Sequence, residues 1–227
     1  MTLHPVAAVI AHFDKEGVDV PIEVRLRAHS LGAVKAADDL SSINAQYNRD
    51  IVDALTQFFE GGSVSSPKNA FKRSAVDNMG AAFDLGWTDG GGELPEDSDT
   101  LSLFNARVDQ EMSNIDMLFE NAKGLRQETD LDYFSWITDR ADGYTNTLRE
   151  LYNLGKLNAM KDQMVTFEGD DGKESCPDCQ KLKGQRHRIS WFVNRDFVPP
   201  FGDGLQCAAG GQCQHGLMND AGEWVTV

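Results

Sequence analysis

The sequence predicts an α+β protein: a mostly α-helical N-terminal region followed by a small β-rich, Cys-stapled C-terminal module. Three observations predict it. Between about Val24 and Leu151, apolar side chains recur mostly at intervals of three and four residues, the period of a helix. From Met164 onward the texture changes to short runs of β-branched and aromatic residues separated by Gly and Asp. All four cysteines fall in that second part. The expected organisation is an N-terminal arm over residues 1–22, a helical domain over 23–163 and a cysteine module over 164–227.

In the arm, the apolar run VAAVIAHF is followed by DKEGVDVP, whose Gly and Pro interrupt any helix. A first helix is expected from about Val24 to Phe59, with Leu31, Val34, Leu40, Ile43, Tyr47, Ile51, Leu55 and Phe58 on one stripe and Gly61-Gly62 as its stop. A second is expected to be capped by Ser66, with Pro67 at its first position. Its stripe is Phe71, Ala75, Met79, Phe83 and Trp87, and Gly90 to Gly92 end it. The linker ELPEDSD leads to a third helix with Leu101, Phe104, Val108, Ile115, Leu118 and Ala122 on one face. A fourth is expected to start near Thr129, with Asp132 completing an approximate capping box, and to carry Ile137, Ala141, Tyr144, Leu148 and Leu151. Gly143 and Gly155 each cost about 1 kcal/mol relative to Ala in a helix, so a bend or break is expected at one of them. In the module, the runs at MVTF, RHRISWFVN and EWVTV read as strands.

The formal net charge is −15, and its distribution narrows the function classes. Residues 173–227 carry six basic and six acidic residues, which leaves 15 basic and 30 acidic residues in 1–172. A surface of that sign repels phosphate, so strong binding to nucleic acid or an anionic membrane is not expected. No run approaches the roughly 18 to 20 apolar residues of a membrane helix. The opening MTLHPVAAVIAHFDKEG lacks the basic flank and cleavage pattern of a secretory signal, so reduced thiols in a cytosol are the expectation.

A module of about 60 residues has too little core to be stable alone, and the cysteines are placed to staple it. They form two pairs, Cys176-Pro-Asp-Cys179 and Cys207-x5-Cys213, with 27 residues between them. Zn²⁺ takes four tetrahedral N or S ligands, and a CxxC turn brings two thiolates to one ion. Gly210 and Gly211 allow a turn between Cys207 and Cys213, and His215 follows two residues later. The candidate structural zinc ligands are therefore Cys176, Cys179, Cys207 and Cys213, with His215 as the alternative fourth. Disulfides and free thiols remain alternatives. A catalytic zinc is disfavoured, because no HxE or HExxH accompanies the cysteines.

His187, between two arginines in GQRHRISW, supports an enzyme alternative in which a strand-borne His works beside a zinc knuckle as a metal-dependent nuclease, with Asp196 and Asp203 as the local acids. The plainer reading is a half-exposed polar strand residue. His4, His12 and His29 have no partner motif, and no GxSxG, Walker-type loop or dinucleotide fingerprint is present, so no catalytic residue is assigned.

A strand, a CPxC knuckle, an LxG after it, a proline-bearing loop and a final close set of Cys and His resemble the C-terminal module of phage head morphogenesis proteins, the minor head proteins related to the F protein of phage Mu. The matching residues are Thr166-Phe167, Cys176-Pro177-Asp178-Cys179, Leu182, Gly184, Pro199-Pro200, Cys207 and Cys213-Gln214-His215. The resemblance covers roughly residues 65–227, and its last 60 or so are motif-like. The family's Pro-His pair is replaced here by PPFGDGLQC, and His215 stands where a cysteine is common, so the fourth ligand is left open. The resemblance implies a non-enzymatic virion protein, made in the host cytoplasm, associated with portal and capsid proteins during head assembly and leaving with the DNA on ejection. A host metal-binding adaptor is a third reading.

Overall fold

In the computed structural model of the chain, which describes residues 39–61, 63–92, 98–127, 132–169, 177–195, 197 and 215–226, the first helix, α1 (Leu40–Phe59), opens at a true N-cap. Asp39 is extended, and its carboxylate accepts from the Ser42 backbone N–H at 2.7 Å, satisfying one of the donors a helix start leaves open. The arm, the first part of the predicted helix and the Leu101 side chain lie outside the described residues.

The second helix, α2 (Ser65–Asp89), is preceded by Val64 with no side-chain cap. Ser66 therefore lies inside the helix and Pro67 in its first turn. The missing proline N–H is tolerated there because the first four N–H groups have no partner in the helix. Gly91, at φ +78°, closes α2. The third helix, α3 (Ser98–Leu125), follows, then α4 (Tyr133–Ala159). The N-cap of α4 is Asp132, whose carboxylate accepts from the Ser135 N–H at 3.2 Å, and Thr129 lies outside the described residues.

Neither Gly143 nor Gly155 breaks α4. Gly155 instead lets α4 lie against α2. A Cβ there would collide with the Phe83 carbonyl, and one on Gly86 of α2 would collide with the Tyr152 carbonyl. A Cβ on Gly90 would sit 2.7 Å from both Ala159 Cβ and the Lys156 carbonyl. The backbone-entropy cost of these glycines is offset by close helix packing, which single-helix propensity does not register.

Around that crossing the predicted stripes converge on one core. Tyr47, Phe58, Phe71 and Phe119, all buried, form a chain of ring contacts across α1, α2 and α3, with Phe58 edge-on to Phe119 at 5.5 Å. Tyr144 of α4 meets Phe71 edge-on at 5.4 Å. Edge-to-face pairs of this kind add about 0.5–1.5 kcal/mol beyond area burial.

The second part is a three-stranded antiparallel sheet in the order β2-β1-β3, with β1 (Met164–Gly169) central, β2 (Arg186–Arg188) and β3 (His215–Met218). Two short helices accompany it, α5 (Pro177–Leu182) and α6 (Ile189–Val193). Two expected strands are corrected. RHRISWFVN is strand only through Arg188 and then helical, because Ile189 and Phe192, three residues apart, both bury into the core. EWVTV makes a single bridge, Trp224 to Met218.

The sheet and its helices enclose a second core of Val165, Phe167, Cys179, Leu182, Ile189, Phe192, Leu217 and Val225, completed by Leu157 from the last turns of α4. α4 thus contributes to both cores. Among the described residues, no helix is long and apolar enough to cross a membrane.

Candidate metal centre

Pro177 opens α5, where its fixed φ suits a first helical position, so the last three residues of the predicted knuckle are helical. Cys179 lies in α5 and is fully buried in the second core. Gly184, at φ +77°, turns the chain immediately after the helix. That turn is sewn to the central strand: the Gly184 N–H donates to the Phe167 carbonyl at 2.8 Å, and the Phe167 N–H donates to the Gln185 carbonyl at 2.9 Å. Leu182 is buried beside Cys179 in the same core. The backbone bonds therefore fix where the Cys179 side of the pair stands relative to β1.

His215 is the first residue of β3, in register with Gly169 at the end of β1. It is 9% exposed, and its ring centroid lies 5.9 Å from that of Phe167. The C-terminal tail holds this strand: Thr226 Oγ1 accepts from the Leu217 N–H at 3.2 Å, and the Val225 N–H donates to the Leu217 carbonyl at 2.7 Å. Gly216 makes room for it, since a Cβ there would stand 2.7 Å from Thr226 Oγ1 and 3.0 Å from the Trp224 ring.

Of the predicted ligands, Cys179 and His215 are described, and both abut the same small core through α5 and Phe167. Cys176, Cys207 and Cys213 lie outside the described residues, as do Asp196 and Asp203. Among the described residues there is no group of three or more His, Cys, Asp and Glu side chains placed to hold a metal. A thiol and an imidazole are the donor types zinc takes, and both are shielded from solvent.

His187, in β2, makes an aromatic contact. Its imidazole lies flat on the indole of Trp191 in α6, four residues on, with centroids 3.8 Å apart and planes 12° from parallel. The Arg195 guanidinium carbon lies 4.4 Å from the Trp191 ring centre. The flanking arginines reach carboxylates: Arg186 holds Asp220 through three bonds at 3.3, 3.0 and 2.8 Å, and Arg188 holds Asp162 at 3.0 Å.

A polar residue that the stripe analysis passed over sits in the helical core. Glu111 is 3% exposed. Its carboxylate accepts from Tyr47 Oη at 3.2 Å and Asn114 Nδ2 at 3.3 Å. Burial pushes its pKa up, opposed by those two hydrogen bonds and by Arg107. Burial also raises Tyr47 well above the usual phenol value, with the Glu111 charge adding to it. The sequence did carry a signal: Glu111 falls three residues after Val108 and four before Ile115, on the apolar stripe of α3.

The chain is therefore an α+β protein: among the described residues, four long helices are joined through α4 to a small three-stranded antiparallel sheet. Compared with family models, with curated proteins and with solved structures, it matches none.

Proposed function

We propose that this chain is a non-enzymatic structural protein of a tailed-phage virion, a minor head protein associated with the portal and capsid proteins during head assembly and with DNA ejection. The observation that carries the proposal is the seating of the knuckle. Thr166-Phe167, Cys179, Leu182 and Gly184, the residues that resemble the head-morphogenesis motif, lie together, with Gly184 bonded to Phe167 and with Cys179 and Leu182 in one core.

In this reading one zinc ion is held by Cys176, Cys179, Cys207 and Cys213, or by His215 in place of the last. The ion supplies cross-linking and no chemistry. Among the described residues the second core holds nine buried side chains, Phe167 among them, which is small for independent stability and gives a clip a purpose. The concentration of negative charge in residues 1–172 suits a protein that works beside packaged DNA without adhering to it.

The test is affinity capture of the tagged full chain from particle-producing cells, followed by identification of what comes with it. Portal or capsid proteins are the expected companions. Their absence, with the chain recovered folded, would overturn the assignment.

A further inference from the structure

We propose that His215 is the nitrogen donor of the clip, so that zinc is held by one imidazole and three thiolates, Cys179 among them, and not by four thiolates. The inference rests on the proposed clip and decides the ligand that the cysteine spacing leaves open.

Strand register carries it. β3 pairs with β1 so that Leu217 stands opposite Phe167 and His215 opposite Gly169. Residues directly opposite in an antiparallel pair, and residues two apart along one strand, share a face of the sheet. His215 therefore lies on the face that carries Phe167 and Leu217. The same face is closed by α5, whose Cys179 and Leu182 are buried in one core with those two side chains. The thiol and the imidazole thus belong to one layer, although 35 residues separate them in the chain.

The imidazole is 9% exposed, and its Nε2 is shut off from solvent. A polar nitrogen away from water is costly unless the interior satisfies it. A bound ion does so, and an imidazole nitrogen is one of the donors zinc takes. The residue across the ladder is a glycine, so no side chain stands opposite the ring on β1. The strand that carries the ring is tied on both sides, by β1 and by the bonds of Val225 and Thr226 to Leu217. A donor mounted this way is already in place, so little ordering is needed when the ion binds.

Zinc-edge X-ray absorption on the unaltered, reduced chain counts the donors and needs no variant to fold. Three sulfurs at about 2.3 Å and one nitrogen at about 2.0–2.1 Å are expected. In competition with a chelator, His215→Ala should bind zinc at least about tenfold more weakly, the loss that even an outer-shell partner brings. His215→Cys should recover the affinity with a shell of four sulfurs, and His187→Ala should leave the shell as it is. A shell without nitrogen in the unaltered chain, or full affinity in His215→Ala, would overturn the proposal and leave the clip standing. A folded, reduced chain without bound zinc would overturn the clip itself and this proposal with it.

Discussion

Gly86 of α2 and Gly155 of α4 are reciprocal: each stands where the other helix's backbone passes, Gly86 against the Tyr152 carbonyl and Gly155 against the Phe83 carbonyl. The approach is too close for any side chain on either residue. Gly143, on the same helix as Gly155, has nothing within 4 Å of where a Cβ would be. Two glycines of one helix therefore predict opposite outcomes. Gly155→Ala should destabilise the protein by about 3 kcal/mol, the upper range for overpacking. Gly143→Ala should stabilise it by about 0.5–1 kcal/mol. Chemical denaturation of both variants checks the pair, and a mild Gly155→Ala would count against the crossing.

The buried carboxyl of Glu111 sets a pH dependence. Its pKa is raised in the folded protein, chiefly by desolvation, so the folded state holds the proton more tightly than the unfolded chain does. Ionising it takes stability away as pH rises above the ordinary value of 4.5. Glu111→Gln should therefore gain on the parent protein as pH rises through the raised pKa, and the gain should disappear below about pH 4. Urea unfolding from pH 3.5 to 8 measures it; a gain confined to low pH would have the wrong sign.

The stack of His187 on Trp191 assigns the histidine a packing role. His187→Ala should lower stability by about 1 kcal/mol, within the range of aromatic pair energies, and red-shift the tryptophan emission. It should leave metal content unchanged. Loss of bound metal in this variant would contradict that role.

Gly184 is the pivot between α5 and β2, and its φ of +77° is a conformation L side chains rarely adopt. Gly184→Ala should cost about 1–2 kcal/mol from the backbone alone, since no neighbour would be touched. Gly184→Asn should recover part of that. Thermal unfolding of the two variants distinguishes backbone strain from a steric effect.

Much of the helical unit was legible in the sequence. The stripes through Ile43, Tyr47, Ile51 and Phe58, and through Phe71, Ala75, Met79 and Phe83, are buried as spacing predicts, because burial on one side of a helix selects that period. What failed depends on partners outside the local window. Ser66 has the right chemistry for a cap, but Pro67 is tolerated anywhere in a first turn and so did not locate the start. Ile189 to Val193 has strand-like composition, yet the chain coils there: the N–H groups of Ile189 and Ser190 bond to the Gln163 and Lys161 carbonyls beside β1. The cost of Gly155 in a lone helix was readable and its fit against Phe83 was not. At the candidate centre, the spacing named Cys179 and His215, while their common attachment to the Phe167 core comes from strand register, which no spacing rule supplies.

The proposed clip joins the cysteine spacing, the small second core and the proposed role, and zinc content tests it most directly. The purified chain under reducing conditions should hold one zinc per molecule. Cys176→Ser should lose most of it and loosen the sheet while helicity by circular dichroism stays nearly the same. A protein that is folded, reduced and free of bound metal, with a C-terminal unit indifferent to Cys176→Ser, would contradict the account.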